Sequence, residues 1–496
     1  MVQLPFFSRC AVGLIVALCA TCALADEATT SIPDGSTPLQ WAAYQGDAAQ
    51  VQRLLLKGAA VSAANAYGVT PMQLAAETGN TAILKLLLAA GANVESPSSE
   101  GQTALMSVAR TGIVEAAQLL IKRGANVNAV EQFGGQTALM WAAARRHPEM
   151  VELLAAKGAQ VDARATVRHF ERHITAEQRY KNTHSGGLTP LLFAVRENCK
   201  ACVEVLIRRG ANILLPDPEG IAPLQLAVMN SNWDIAHRLI TAGADVNQWD
   251  LYGQAPLHVA VENAYMGRAG SANLGSDGSP NQFDGKAIVK VLVERGADPN
   301  QQMFFRAPRE RGQVSAGARG TTPFHRAAAS GDVEIVKYLL AHGAEINLHE
   351  ANGQTAIMLA LGARRSEEDI VAMLGVLRAA GADVNMVAQT MFIRRDRGGT
   401  ALHIATRRGL QKVMAELVTR GADVNLKDPD GLTALDYAMA RGWLTYLTTR
   451  PPPRLDLAKQ LRELGATVEL KQMPDWPGEF PPIGPPRQHE SEIWPL

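Results

Sequence analysis

A glycine returns along this chain at positions 35, 68, 101, 135, 187, 220, 253, 320, 353, 398 and 431, with 33 residues as the commonest interval. Every unit so opened closes on a Gly-Ala pair, at Gly58, Gly91, Gly124, Gly158, Gly210, Gly243, Gly296, Gly343, Gly381, Gly421 and Gly465. The clearest copy runs from Gly320 to Asn347. In it Thr322 is placed to cap a helix through its hydroxyl, and Pro323 stands at the first helical position, where a missing N–H costs nothing. Gly331 permits a tight turn. Val333, Val336, Leu339 and Leu340 then recur at helical spacing, and Gly343 is suited to the left-handed conformation that ends a helix. Two short helices cannot enclose a core alone, so such a unit must stack on copies of itself.

The residues Thr322-Pro323-Phe324-His325 followed by Ala327, and closing strings such as Gly421-Ala422-Asp423-Val424-Asn425, resemble the ankyrin repeat, whose length is about 33 residues. The resemblance implies an all-α solenoid of about eleven helix–turn–helix repeats with inserted finger loops. It also implies a protein-binding array that presents its concave face and its fingers. The expected organisation is a signal peptide at 1–25, a linker at 26–33 and repeats 1–4 at 34–163. A finger insertion at 164–186 precedes repeats 5–7 at 187–300, with a helix–helix insertion at 265–285. A second finger at 301–319, repeats 8–9 at 320–385, a third finger at 386–397, repeats 10–11 at 398–468 and a Pro-rich tail at 469–496 complete it.

The leader reads as an export signal. Arg9 gives a positive flank, residues 11–18 a short apolar run, and Ala23-Leu24-Ala25 a small-x-small cleavage site before Asp26. The run is shorter than the ~20 residues a membrane span needs. The mature chain is therefore expected in the periplasm or outside the cell, with no membrane span. The lack of an Asn-x-Ser/Thr sequon leans towards a bacterial source. Loss of the leader leaves 47 basic and 48 acidic side chains, so net charge selects no nucleic acid.

The interruptions of the period carry the functional signal. All three fingers are net basic, and each adds apolar or aromatic residues. The candidate partner contacts are Phe170 and Tyr180, then Phe304, Phe305 and Arg306, then Phe392, Arg394 and Arg395. Aromatic residues beside arginines are enriched at interfaces, which points to a protein partner with an acidic surface. His258, His325 and His403 share a slot held elsewhere by Gln40, Gln73, Met106 and Leu192, which marks it as framework. Trp41, Leu74, Met106 and Trp141 are expected in a buried seam between layers. No catalytic constellation, cofactor motif or metal-ligand spacing is expected, and the chain is read as a non-enzyme.

Cys199 and Cys202 are the two cysteines outside the leader, and a helix is expected to begin at them. They form a candidate disulfide, or remain two buried thiols. The competing functional class is a redox or metal-dependent protein centred on Cys199/Cys202 and the loop from His169 to His184.

Overall fold

A computed structural model describes residues 34–169, 184–266, 273–304, 319–363, 365–389, 398–440 and 453–467. The described residues form 22 helices and one two-stranded hairpin. The chain divides into two compact units, Met1–Ala382 and Asp383–Leu496. The first holds nine helix pairs, from Pro38–Gln45 with Ala48–Leu56 to Ala356–Leu361 with Glu367–Ala379. The second holds two, Ala401–Arg408 with Gln411–Thr419 and Ala434–Ala438 with Leu455–Glu463. In each unit first helices stack on first helices. In the larger unit second helices also stack on second helices. The pairs are numbered here as repeats 1–11.

Local chemistry sets the helix starts. The hydroxyls of Thr37, Thr70, Thr103, Thr137, Thr189 and Thr322 each accept the N–H three residues on. Pro38, Pro71, Pro190, Pro223 and Pro323 take the first helical position, where φ is preset. The core lies between the two helix layers. In repeat 2, Met72, Ala75 and Ala76 meet Ile83, Leu84 and Leu87, all buried. The alanines let first helices approach closely, since a larger side chain there would force them apart.

Successive repeats are also joined at the polar edge. The Asn that ends the closing string donates from Nδ2 to the carbonyl of the next closing Gly: Asn247 to Gly296, Asn300 to Gly343, Asn347 to Gly381, Asn385 to Gly421 and Asn425 to Gly465. The same amide oxygen accepts a backbone N–H two residues past that Gly, as Asn300 does from Glu345 at 2.8 Å.

Four details depart from sequence expectation. The positive φ in the tenth repeat falls on Gly399, at +105°, rather than on Gly398. Residues 164–186 carry a hairpin stem, Val167–His169 against His184–Gly186, because a chain leaving and re-entering one turn can close a short ladder. The sequence places a few extra residues, around 364–369, between the two helices of repeat 9, but Glu367, Glu368 and Asp369 belong to the second helix instead. Ser366 caps Glu367–Ala379, and Glu367, Glu368 and Asp369 fill its first turn, where carboxylates suit the helix dipole. Finally, of the four residues assigned to a buried seam, only Met106 is fully buried; Trp41, Leu74 and Trp141 are half-buried. Met106 occupies the capping slot of Gln40 and Gln73, one residue before the slot of the tryptophans.

Candidate functional site

The turns between repeats project as fingers, each closed by one side chain. Asn65 Oδ1 accepts the N–H groups of Tyr67 and Val69, and Asp217, Asp250 and Asp428 repeat the pattern on their own fingers. This Asx-type turn fixes the tip without strain. Asp250 is buried, as is Asp428. Burial pushes the Asp250 carboxyl up to about 6, against the N–H groups of Gln254 and Tyr252 and the Gln225 amide.

The finger after repeat 7 is held at its base. Met303 is buried against Tyr252, its N–H donates to Thr321 O at 3.0 Å, and the Phe304 N–H donates to Tyr252 O at 2.9 Å. The Phe304 ring then stands edge-on to Trp249 at 5.2 Å between centroids. Both rings remain largely open, at 45% and 42% exposure, and Leu251 and Leu214 on the neighbouring fingers are also exposed. Gln248 ties this row together by donating to Leu214 O. Beneath Met303 lies a buried ion pair, Arg326 Nη1 to Glu262 Oε2 at 2.8 Å, with Arg326 also donating to His258 O and to Met303 Sδ. Burial pushes the Arg326 guanidinium down, and the carboxylates of Glu262 and Asp250 oppose it.

Phe304 is thus the one candidate partner contact within the described residues. Phe170, Tyr180, Phe305, Arg306, Phe392, Arg394 and Arg395 lie outside them, as do Ala25 and Asp26. Trp249, Leu251 and Leu214 went unnoticed in the sequence. Their signal was available: Trp249 and Leu251 stand four and two residues before Gly253, and Leu214 six before Gly220, as large apolar residues in turns. On the finger after repeat 4, Arg168 is committed locally. It stacks over Phe133 at 4.5 Å and donates to the Phe133 carbonyl.

A second surface is the open side of the first helices. Trp41 and Tyr44 pack edge-on at 5.9 Å, Arg110 stacks over Trp141 at 5.6 Å, and Arg196 stacks over Phe193 at 4.9 Å. These residues sit three apart on one helix, or at matching positions of successive helices, so they line one row. The row was misread as seam because the helical period reveals an apolar stripe, not whether a neighbour covers it.

Cys199 caps the helix Lys200–Arg208 and is joined to Cys202 by a disulfide, with Cys199 Sγ accepting the Cys202 N–H. Both are buried. In the stem, His169 pairs with His184 by backbone register; His173 lies outside the described residues. Among the described residues no group of three or more His, Cys, Asp or Glu could hold a metal ion.

The family model described as ankyrin repeats in three copies matches residues 12–98, 90–165, 191–274 and 281–388, and the single-repeat model matches 397–429. The chain belongs to the ankyrin-repeat family. Ankyrin repeats mediate protein–protein interaction, and the scaffold is typically not an enzyme. Among curated proteins, the E3 ubiquitin-protein ligase KEG of Arabidopsis thaliana is 25% identical over 202 residues, covering 39% of this chain and 11% of that protein. The nuclear factor NF-kappa-B p105 subunit of Gallus gallus is 29% identical over 212 residues, 38% of this chain and 20% of that protein. Human ankyrin repeat and SOCS box protein 16 is 30% identical over 132 residues, 27% of each. The chain therefore spans between about a tenth and a quarter of these relatives' lengths. The human ASB11 ankyrin repeat domain aligns at 22% identity with a TM-score of 0.40, covering 53% of this chain and all of that one. No helix among the described residues is long and apolar enough to cross a membrane.

Proposed function

We propose that this ankyrin-repeat chain is an exported, non-enzymatic scaffold of the periplasm or extracellular space that binds another protein through its fingers and first-helix face. The observation that carries the reading is the Trp249–Phe304 pair, two large rings left open on neighbouring fingers that backbone hydrogen bonds pin together. Rigid aromatic residues lose little entropy on binding and bury much area. The remaining finger residues, Phe170, Tyr180, Phe305, Arg306, Phe392, Arg394 and Arg395, are assigned to partner binding by their sequence alone. A basic charge on these fingers suits a partner with an acidic surface.

Export is supported by the leader ending at Ala25 and by the Cys199–Cys202 disulfide, a bond that persists in oxidising compartments. The buried placement of that disulfide at a helix cap favours bracing over redox chemistry.

The test starts from protein purified from its native host. Mass spectrometry is expected to find a mature N-terminus at Asp26, and an intact Met1 would overturn export. Partner captured from the same fraction is then measured against wild type and against Trp249→Ala with Phe304→Ala. Burying one such ring in full contributes roughly 1.5–3 kcal/mol. Each has less than half of its surface left to bury, so removing both should raise the dissociation rate by about ten- to a hundredfold with little change on approach. Unchanged kinetics would make these finger rings bystanders.

A further inference from the structure

Many charged side chains of the larger unit pair with a neighbour of opposite sign. Across the second helices Lys85 meets Glu115, Glu152 meets Arg208 and Arg209, Glu204 meets Arg238, and Lys286 and Lys290 meet Glu334. Each pair joins one repeat to the next, so that layer offers a partner little unbalanced charge. The turns of repeats 4–6 are likewise occupied, with Arg146 on Asp277 and Lys200 on Asp234.

The first-helix row of repeats 3–5 differs. Arg110 and Arg145 have no carboxylate partner among the described residues; Arg110 lies over Trp141, and Arg145 follows Trp141 by one helical turn. Arg196 lies over Phe193 and shares only the exposed Glu197 beside it, at 2.8 Å. The row's other carboxylate, Glu77, stands one repeat away. A guanidinium stacked on a ring keeps its N–H edges directed outward in the plane, the geometry that receives a carboxylate in two parallel hydrogen bonds.

We infer that the first-helix row of repeats 3–5, built on Arg110, Arg145 and Arg196 with Trp141, receives an acidic extended segment of the protein partner. The inference rests on the protein-binding reading above and names the chemistry of the partner at this face. Neighbouring helices lie about 8–10 Å apart, and an extended chain advances about 3.3 Å per residue. The matching segment therefore carries a carboxylate at about every third residue, with an apolar side chain between to lie on Trp141. A polypeptide fits better than a nucleic acid. The arginines are few, Glu197 stands among them, and the whole chain has a formal net charge of +0, whereas a phosphate backbone is met by a dense basic stripe.

The probe is a fluorescent peptide of about twelve residues with Glu-Ser-Leu repeated, read by anisotropy against the full chain. A peptide with Lys for each Glu and an oligothymidine of equal length serve as comparisons. Saturable binding of the Glu peptide is expected, weakening as salt rises, with no binding of the Lys peptide. Arg110→Glu with Arg145→Glu should lose at least about tenfold in affinity and gain the Lys peptide, its fold verified by circular dichroism. Trp249→Ala with Phe304→Ala should bind the Glu peptide as wild type does. Absence of saturable binding, equal binding of both peptides, or indifference to charge reversal overturns the inference. Tighter binding of the oligothymidine overturns it in favour of a nucleic acid. If the peptide fails while the captured partner still depends on Trp249 and Phe304, this inference falls and the scaffold reading stands.

Discussion

Gln40 accepts the Thr37 N–H through Oε1 and donates from Nε2 to Val69 O, closing its own helix cap and reaching the next finger at once. His325 does the same with a ring: Nδ1 accepts the Thr322 N–H and Nε2 faces Leu348 O at 2.9 Å. That network places the proton on Nε2 and needs the neutral imidazole. Burial pushes His325 down to about 4; it pushes His258 down to about 3, with the Arg326 charge acting in the same direction. An unfolded His titrates near 6.5. A depressed folded value means stability fully present above about 6.5 and lost as pH falls through the interval to about 4. Asp250 acts oppositely, because its carboxyl is raised to about 6 and its buried charge is relieved as pH falls towards 4. We therefore expect His325→Gln to match wild type in urea midpoint near neutrality and to lose less stability between pH 6.5 and 4.5. Identical pH dependence of the two proteins would show that this histidine is not the acid-sensitive group.

The inserted segment between the helices of repeat 7 is a strap rather than a spare loop. Its Ser276 N–H donates to Asn232 Oδ1, Gln282 and Phe283 N–H donate to Asp234 Oδ1, and Phe283 stacks on His237 at 3.9 Å. Asp277 bonds Arg146 at 2.7 Å and receives the Asn198 amide, while Asn281 donates to Ser231 O. Arg146, Asn198 and Ser231 are three non-glycine residues at positive φ, in the turns where other repeats place Gly46, Gly79, Gly112 and Gly331. A left-handed conformation is strained for a residue with a side chain, and the strap supplies the contacts that hold all three there. Burial alone would raise the Asp277 carboxyl, but hydrogen bonds from Ser279 and Asn198 and the Arg146 charge hold it well below the usual carboxylate range. Asp277→Ala should then cost roughly 2 kcal/mol in chemical denaturation, since it removes several hydrogen bonds to a largely buried carboxylate. A loss below about 0.5 kcal/mol, the range of an ordinary surface substitution, would mean that the strap does not brace these turns. The helix pairs, their caps and the Gly turns were legible because each is a local pattern repeated. The strap was not, because it has no period and its partners lie 44 to 131 residues away. The row of Trp41 and Trp141 was half legible: the stripe could be read, its openness could not.

In the larger unit, stability is a sum of repeat terms and nearest-neighbour contacts, so its weakest point follows from which repeats are braced. Composition alone suggests the middle, where insertions interrupt the period. The braces between repeats argue for the opposite order. Repeats 4–7 share the strap, and repeats 7 and 8 share the buried pair of Arg326 and Glu262 with the Met303 anchor. Breaking a buried pair by removing one partner is costly, which ties those two repeats to a common fate. Repeat 1 has no such tie. In its second helix only Val51 is buried, and Leu56 is 82% exposed, whereas the matching helix of repeat 2 buries Ile83, Leu84, Leu87 and Leu88. Native-state hydrogen exchange in increasing urea should therefore show the amides of Val51–Leu56 opening first and those of Val203–Leu206, Ile235–Leu239 and Ile288–Leu292 opening last within this unit. Glu262→Gln, which removes the charge opposite Arg326, should shift the opening of Ile288–Leu292 and Ile335–Leu339 together and leave Ile83–Leu87 in place. Exchange that begins in repeats 4–7, or a Glu262→Gln effect spread evenly over all nine repeats, would mean that the braces carry no local stability and that the array melts by sequence continuity alone.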